Sequence, residues 1–318
     1  MNVLVTGSSG WLGRHLVPLL REAGHRPFGL DVVASDWTDV VANVTDRDAL
    51  DDVFRRQGFD GVIHAGALHK PDMARYVQQA FIDANVTGTL NLLQAAIEHG
   101  VPRFVFTSTT SLMISQKIRE ERSSEAVWLD EDHAPIEPRN IYGVTKLAAE
   151  GLCREHHLEH GLHTIVLRTA RFFPEEDDTL NALSGPNLKA NELLNRRASV
   201  RDMARSHVSA LERSGDVKFG LYLVSAPTPF SRTDARQLKE DAASVICARF
   251  PEVSDLYQAA GWRLPESISR VYDGSRITRA LGFRYETTFE AVLAALREGR
   301  PSPIEHDASY SSPLWQSA

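Results

Sequence analysis

The chain has 318 residues, 42% of them hydrophobic and 24% charged, with a formal net charge of −7. This allows one large α/β domain with a smaller appended part, and the lack of basic excess excludes nucleic acid as an expected partner. Cys153 and Cys247 stand too far apart in sequence for a disulfide framework; the chain opens on the strand-like run Val3-Leu4-Val5, and no apolar run is long enough to span a bilayer, so a cytoplasmic protein without a membrane partner is expected.

Short apolar runs alternate with amphipathic stretches through the first half. Residues 2–6, 26–30, 61–64 and 103–107 read as buried strands. Residues 11–23, 45–57, 84–99 and 142–160 read as helices, the second with a capping-type start on Thr45 and Asp48. Residues 163–168 form a further strand. Such alternation predicts a doubly wound parallel sheet with helices on both faces. The rhythm breaks after Pro174. Residues 175–199 are polar, with Gly185-Pro186 as a turn signal. A helix over 200–213, a strand over 220–225 and helices over 233–249 and 289–297 follow. The expected organisation is a nucleotide-binding domain over 1–174, to which 200–226 returns, a smaller substrate-binding part from 175–199 and 227–300, and a tail over 301–318. The tail carries Tyr310 and Trp315 and is either a loose end or a strap that docks by its aromatics.

Gly7-Ser8-Ser9-Gly10-Trp11-Leu12-Gly13 lies between the first strand and the first helix. In that context the glycines let backbone approach a pyrophosphate, whose charge meets the helix N-terminus. Gly7, Ser9, Gly10, Trp11, Leu12 and Gly13 are therefore candidate cofactor contacts in a Rossmann-type fold. Asp31 ends the second strand, where a carboxylate accepts ribose hydroxyls and repels a 2′-phosphate, favouring NAD over NADP. Asn43 and Val44 follow the next short segment, either against the adenine or as a plain loop pair.

The Gly-x-x-Gly-x-x-Gly spacing resembles the extended short-chain dehydrogenase/reductase family, the NAD-dependent epimerases and dehydratases. Further matches follow in order: Val62-Ile63-His64-Ala65-Gly66-Ala67, Asn85-Val86-Thr87-Gly88-Thr89, Phe106-Thr107-Ser108-Thr109, Tyr142-Gly143-Val144-Thr145-Lys146, Val200-Arg201-Asp202-Met203-Ala204 and Tyr272-Asp273-Gly274-Ser275. The resemblance covers roughly residues 1–297. It implies cofactor contacts at His64, Ala65, Gly66, Asn85 and Thr107, and a homodimer packed through the helices that hold residues 85–99 and 142–160.

Hydride transfer from a secondary alcohol also requires removal of the hydroxyl proton. Tyr142 is the candidate base. Its phenol is ordinarily un-ionised at neutral pH, and Lys146, one turn later, is expected to lower its pKa and to bind the nicotinamide ribose. Thr109 is the expected third member, donating to the substrate oxygen. Thr110 and Ser111 stand where the family's dehydratases carry Asp and Glu, so an elimination pair is missing. Arg171 replaces a usual Asn in a segment like Leu-Arg-x-x-Asn. Either it favours an anionic substrate by bidentate pairing, or it forms a salt bridge with Glu175 or Glu176. His69 and Arg197, with Thr109 and Thr110, complete the candidate substrate contacts. Lys189, Asn191, Glu192, Arg196 and Arg197 could form a lid over the pocket or a solvated loop. His156, His157, His160 and His163 lack the companion ligands a zinc site needs, so no metal is expected. The expected function is an NAD-dependent epimerase acting on a secondary alcohol of a sugar-like small molecule. Alternatives are a net dehydrogenase of a small uronate-like sugar, or a non-catalytic NAD-binding regulator. The retained Tyr142 and Lys146 argue against the last.

Overall fold

The computed structural model describes residues 1–175 and 183–316. In chain order the elements begin with β1 (Asn2–Thr6), α1 (Trp11–Glu22), β2 (Arg26–Asp31), β3 (Val40–Val41), α2 (Arg47–Gln57) and β4 (Gly61–His64). Next come α3 (Gln78–Ile82), α4 (Gly88–Glu98), β5 (Arg103–Thr109), α5 (Gln116–Arg119), β6 (Val127–Leu129), α6 (Ile141–His160) and β7 (His163–Thr169). After the undescribed stretch follow α7 (Gly185–Leu193), α8 (Val200–Val217), β8 (Phe219–Val224), α9 (Ala235–Glu240), α10 (Ala242–Arg249) and α11 (Val253–Ala260). The last are β9 (Arg270–Tyr272), α12 (Ser275–Leu281), α13 (Phe289–Arg297) and α14 (Pro313–Gln316).

Seven strands form one sheet in the order β3-β2-β1-β4-β5-β7-β8, every pairing parallel. The strands are apolar because both faces are covered. On one face Leu12, Leu16 and Leu20 of α1 and Met203 and Leu211 of α8 pack on Val3, Val5, Ile63 and Val105. On the other, Leu50 and Phe54 of α2, Leu92 of α4 and Ala149 and Cys153 of α6 pack on Leu4, Val62, Phe104 and Phe106. A second, two-stranded parallel sheet pairs β6 with β9 beside a cluster built from α9, α10, α11 and α13. Strand β8 joins the large sheet although residues 170–218 intervene after β7.

Several local expectations shift. Asp46, not Thr45, caps α2, accepting a bond from the Ala49 N–H at 3.0 Å. Residues 84–99 are not one regular helix, because Asp83–Thr87 is a π-helical turn. Residues 233–249 break at Asp241, whose side chain caps α10. The polar stretch after Pro174 contains α7, with Pro186 in its first turn, where a missing N–H costs nothing. Among the described residues, no helix is long and apolar enough to cross a membrane.

Candidate active site

All seven strands run the same way, so their carboxyl ends share one edge. That edge gathers Gly7, Asp31, Ala65, Thr109 and Arg171 from positions far apart in sequence. Between β1 and β4 the strand order reverses, and the crevice outside such a point is where open α/β sheets take ligands.

The glycine turn fits a pyrophosphate on steric grounds. Gly7 has φ +74°, and a Cβ there would lie 2.6 Å from the Gly66 nitrogen. A Cβ on Gly13 would sit 2.2 Å from the Gly7 carbonyl oxygen. Gly10 precedes α1, whose first turn carries no acidic residue. The first backbone bond of α1, Arg14 N–H to Gly10, leaves the N–H groups of Trp11, Leu12 and Gly13 outside the helical ladder. The Leu12 side chain is in the core, and the Trp11 indole donates to the Phe172 carbonyl at 3.2 Å. Leu12 can therefore meet a ligand at that turn only through backbone. Asp31 is tied to the same turn: its carboxylate accepts the Ser9 N–H and the Val33 N–H, each at 3.0 Å. Asn43 closes its own loop on the Thr45 N–H at 3.0 Å, and the Val44 carbonyl accepts from Asn91 at 3.1 Å.

Asn140 caps α6 by accepting the Gly143 N–H at 2.9 Å and so starts the helix just before Tyr142. Tyr142 is buried. Burial pushes its pKa up to about 12; the bond to the Thr109 hydroxyl pulls it down, and the Asp72 carboxylate adds to the rise. Lys146 is also buried, and desolvation pushes it down to about 7 against the pull of Cys153 and Glu150. Its Nζ donates to the Thr107 carbonyl at 2.8 Å and lies 4.6 Å from the Phe106 ring centroid. The expected direct lowering of Tyr142 by Lys146 is therefore not present in this arrangement. The ammonium is turned to the β5 backbone, and Thr109 is the group that favours the phenolate.

Behind this pair lies a buried ion pair. Glu150 accepts from Arg168 Nε at 3.0 Å and Nη2 at 2.7 Å, and from the Ser108 hydroxyl at 2.6 Å. The spacing Lys146 to Glu150 carried that signal, since both lie on one face of α6.

Five expected contact residues use side-chain polar atoms within the framework. The His64 ring is buried between the hydroxyls of Thr6 at 2.7 Å and Thr89 at 3.1 Å, and Thr6 also accepts the Gly66 N–H. Desolvation and the Lys146 charge push His64 down to about 3. Asn85 clamps Leu68 through both its N–H and C=O and donates to Thr145 at 3.1 Å, so its amide is fully used. Thr110 turns inward to the Thr169 carbonyl at 3.2 Å. Arg197 is buried, donating to Glu192 at 2.9 Å and the Phe173 carbonyl at 3.1 Å. The Thr107 hydroxyl likewise pairs with His207 Nε2 at 2.8 Å, leaving its carbonyl to Lys146.

At the substrate end, the His69 ring stands 6.1 Å from Tyr142 and 5.7 Å from Phe173, centroid to centroid. Its Nδ1 lies 3.8 Å from Asp72 Oδ2, and desolvation lowers its pKa, with Asp72 opposing and Lys146 assisting. Arg171 is 40% exposed and pairs with Glu192 at 3.1 Å. The expected alternative partner Glu176 lies outside the described residues. Arg196 at 2.9 Å and Arg197 at 2.9 Å share the same carboxylate. Burial pushes Glu192 up, but the three guanidinium charges win and hold it below its ordinary value. Glu192, Lys189, Asn191 and Arg197 are buried, so this group is part of the wall and not a lid. Among the described residues, no group of three or more His, Cys, Asp or Glu gathers where it could hold a metal ion. Asp72 and Trp315, which had no sequence motif, also meet at this end, with the indole N–H 2.7 Å from the carboxylate.

A family model described as NAD dependent epimerase/dehydratase family matches residues 3–186. A UDP-glucose 4-epimerase from Rhizobium meliloti (strain 1021) is 32% identical over 176 residues, which are 52% of this chain and 50% of that protein. A UDP-glucose 4-epimerase from Streptomyces lividans is 32% identical over 171 residues, 51% of this chain and 49% of that protein. The matched stretch thus spans about half the length of these curated relatives. The fold is shared over more of the chain. A short-chain dehydrogenase/reductase superfamily protein from Agrobacterium tumefaciens, solved with bound NAD, has TM-score 0.64 and 24% identity, covering 94% of this chain and 98% of the other. The UDP-Glc/GlcNAc 4-epimerase from Campylobacter jejuni has TM-score 0.67 and 17% identity, covering 93% and 98%.

Proposed function

The chain belongs to the NAD-dependent epimerase/dehydratase family, and from that premise we propose that it oxidises a secondary alcohol of a sugar or sugar derivative with NAD and returns the hydride, acting as an epimerase. The observation that carries this reading is the bond between Thr109 and buried Tyr142, with Lys146 buried one turn along the same helix, near a glycine turn that only small residues can form. NAD, when bound, supplies the carbon that takes up a hydride and gives it back. Gly7, Gly10, Gly13 and the first N–H groups of α1 would hold its pyrophosphate, and Asp31 its adenosine ribose. Tyr142 in its phenolate form takes the hydroxyl proton of the substrate and, as the phenol, later returns it. Thr109 holds the oxygen and favours the phenolate. Lys146, held on the Thr107 carbonyl and lowered in pKa by burial, would bind the nicotinamide ribose.

Tyr142→Phe tests this reading. It is expected to leave the Kd for NAD unchanged and to lower turnover at least a thousandfold, on the scale of lost acid–base catalysis. A Phe variant with ordinary turnover rejects the assignment. Wild-type protein is to be screened with free sugars, uronates and nucleotide sugars, following NADH absorbance and product stereochemistry.

A second reading rests on the charge of the wall. Among the described residues, Arg171, Arg196, Arg197 and Lys189 outnumber Glu175 and Glu192 there, which suits a carboxylate or phosphate on the substrate. On that reading the enzyme is a net dehydrogenase of a small acidic sugar. Accumulating NADH separates it from the epimerase, which keeps its cofactor. We also propose a homodimer, supported by exposed apolar side chains on α6, where Val144 is 47% and Leu158 65% accessible.

A further inference from the structure

We propose that residues 301–316 form a strap that completes the catalytic cleft, and that Trp315 is a positioning residue for substrate, acting through Asp72 on His69 beside Tyr142. The proposal rests on the reading of Tyr142 given above.

The segment is tied along the carboxyl edge of the sheet at three places. At the first, Ile304 packs with Ala190, Leu193, Ala226 and Val292, and the Asp307 N–H donates to the Pro174 carbonyl at 3.0 Å. His306 Nδ1 lies 2.7 Å from Lys189 Nζ, and Glu305 accepts the Val200 N–H at 3.2 Å. At the second, Tyr310 meets Trp11 edge to face at 5.1 Å, with the Arg14 guanidinium 5.7 Å from its ring. That contact lies over the first turn of α1. At the third, Leu314 packs against the cluster of Leu68, Phe81 and Tyr142, and Trp315 reaches the turn after β4. The path from α1 to the turn after β4 spans the β1/β4 crevice, because those two strands flank it.

The third tie bears on chemistry. Asp72 is buried and accepts two bonds, the His69 N–H at 2.6 Å and the Trp315 indole N–H at 2.7 Å. The Trp315 ring is held on its other side by Arg75, whose guanidinium carbon lies 4.6 Å from the ring centroid. His69 stands between Tyr142 and Phe173, so the position of its ring sets the space next to the reacting hydroxyl. Without the indole, one oxygen of a buried carboxylate loses its donor. A buried acceptor in that state recruits water or turns, and either change releases the backbone that carries His69.

The test uses the full chain with Trp315→Phe, which keeps a ring for Arg75 and removes the N–H, and with Trp315→Ala. Hydrogen exchange of the His69 amide is measured in both, together with steady-state kinetics on the substrate found with wild-type protein. The expected result is faster His69 exchange in both variants. With Trp315→Phe, KM rises about tenfold, the loss of one hydrogen bond to a charged group, while kcat stays within twofold and the Kd for NAD is unchanged. Unaltered His69 exchange in both variants overturns the proposal, and so does a fall in kcat with KM unchanged. If wild-type protein turns over no sugar at all, the assignment of Tyr142 fails, and the exchange measurement alone decides the latch: faster exchange supports it and unchanged exchange rejects it.

Discussion

Glu150 is where helix α6 is anchored to the sheet. It takes two bonds from Arg168 on β7 and one from Ser108 on β5, and it sits one turn beyond Lys146. Both partners of the ion pair are only 6% exposed. Removing one charge from a buried pair leaves the other uncompensated, at a cost of about 3–5 kcal/mol. Glu150→Gln should therefore lower the urea-unfolding free energy by about that amount, and combining Glu150→Leu with Arg168→Met should recover most of it. A single variant within about 1 kcal/mol of wild type rejects the account. Asp31 has a different cost structure, since it binds the glycine turn as well as the proposed ribose. Asp31→Ala should weaken NAD about tenfold, roughly the loss of a hydrogen bond to a charged group, and shift the NAD-to-NADP affinity ratio toward NADP. An unchanged ratio in titration calorimetry removes Asp31 from the recognition of the ribose. Residue by residue, the sequence made legible what local spacing determines: the glycine turn, the Tyr142–Lys146 pair and Asp31 at a strand end. His64, Asn85, Thr110 and Arg197 bond through their side chains within the protein, His64, Asn85 and Thr110 to partners far along the chain and Arg197 to Glu192 and Phe173. Their motifs locate them, but only the assembled fold shows what those atoms bond.

At the scale of elements, period explains which segments could be read. Strands buried on both faces and helices buried on one face leave plain patterns. Helix α7 leaves none, because Gly185 and all residues from Asn187 to Leu193 are buried, polar ones included. Its Asn187 and Asn191 both donate to the Arg263 carbonyl, and its Lys189 holds the Pro174 carbonyl. Polar composition read as loop was in fact a helix with its polar groups satisfied internally. Helix α6 shows the opposite case. One face carries Tyr142, Lys146 and Glu150 inward, while Val144 and Leu158 lie on its solvent side. A charge placed in an apolar contact between copies is costly, so Leu158→Asp should convert the proposed dimer to monomer in sedimentation velocity without altering the Kd for NAD. Monomeric wild-type protein under the same conditions counts against the dimer.

For the whole molecule, acid sensitivity follows from buried histidines. Burial pushes His207 down to about 4, opposed by its bond to the Met203 carbonyl, and pushes His64 to about 3 with help from Lys146. Both are held neutral in the folded state, while the unfolded chain protonates them below about pH 6.5. The unfolded state thus binds more protons below that pH, and stability falls as the pH drops toward 4. Each group contributes up to about 1.4 kcal/mol per pH unit, the slope beginning at half that at the unfolded pKa, so the two together should cost about 3 kcal/mol between pH 6.5 and pH 5. Urea midpoints measured across that range check the slope, and His207→Gln should make it shallower. A flat profile would show that these rings are solvated.

The late arrival of β8 has a consequence for biosynthesis. Strand β7 pairs along its whole length with β8, and α8 lays Val200, Met203, Ala204, Ala210 and Leu211 on one face of the sheet. A nascent chain that has emerged only as far as residue 186 carries every glycine of the turn and the Tyr142–Lys146 pair. It still presents β7 as an open hydrogen-bonding edge and leaves one side of the sheet without α8. Such an edge invites pairing with other chains. The seven-stranded sheet is therefore complete only after residue 224, and until then the open edge of β7 is the surface on which a growing chain is most exposed to wrong pairing.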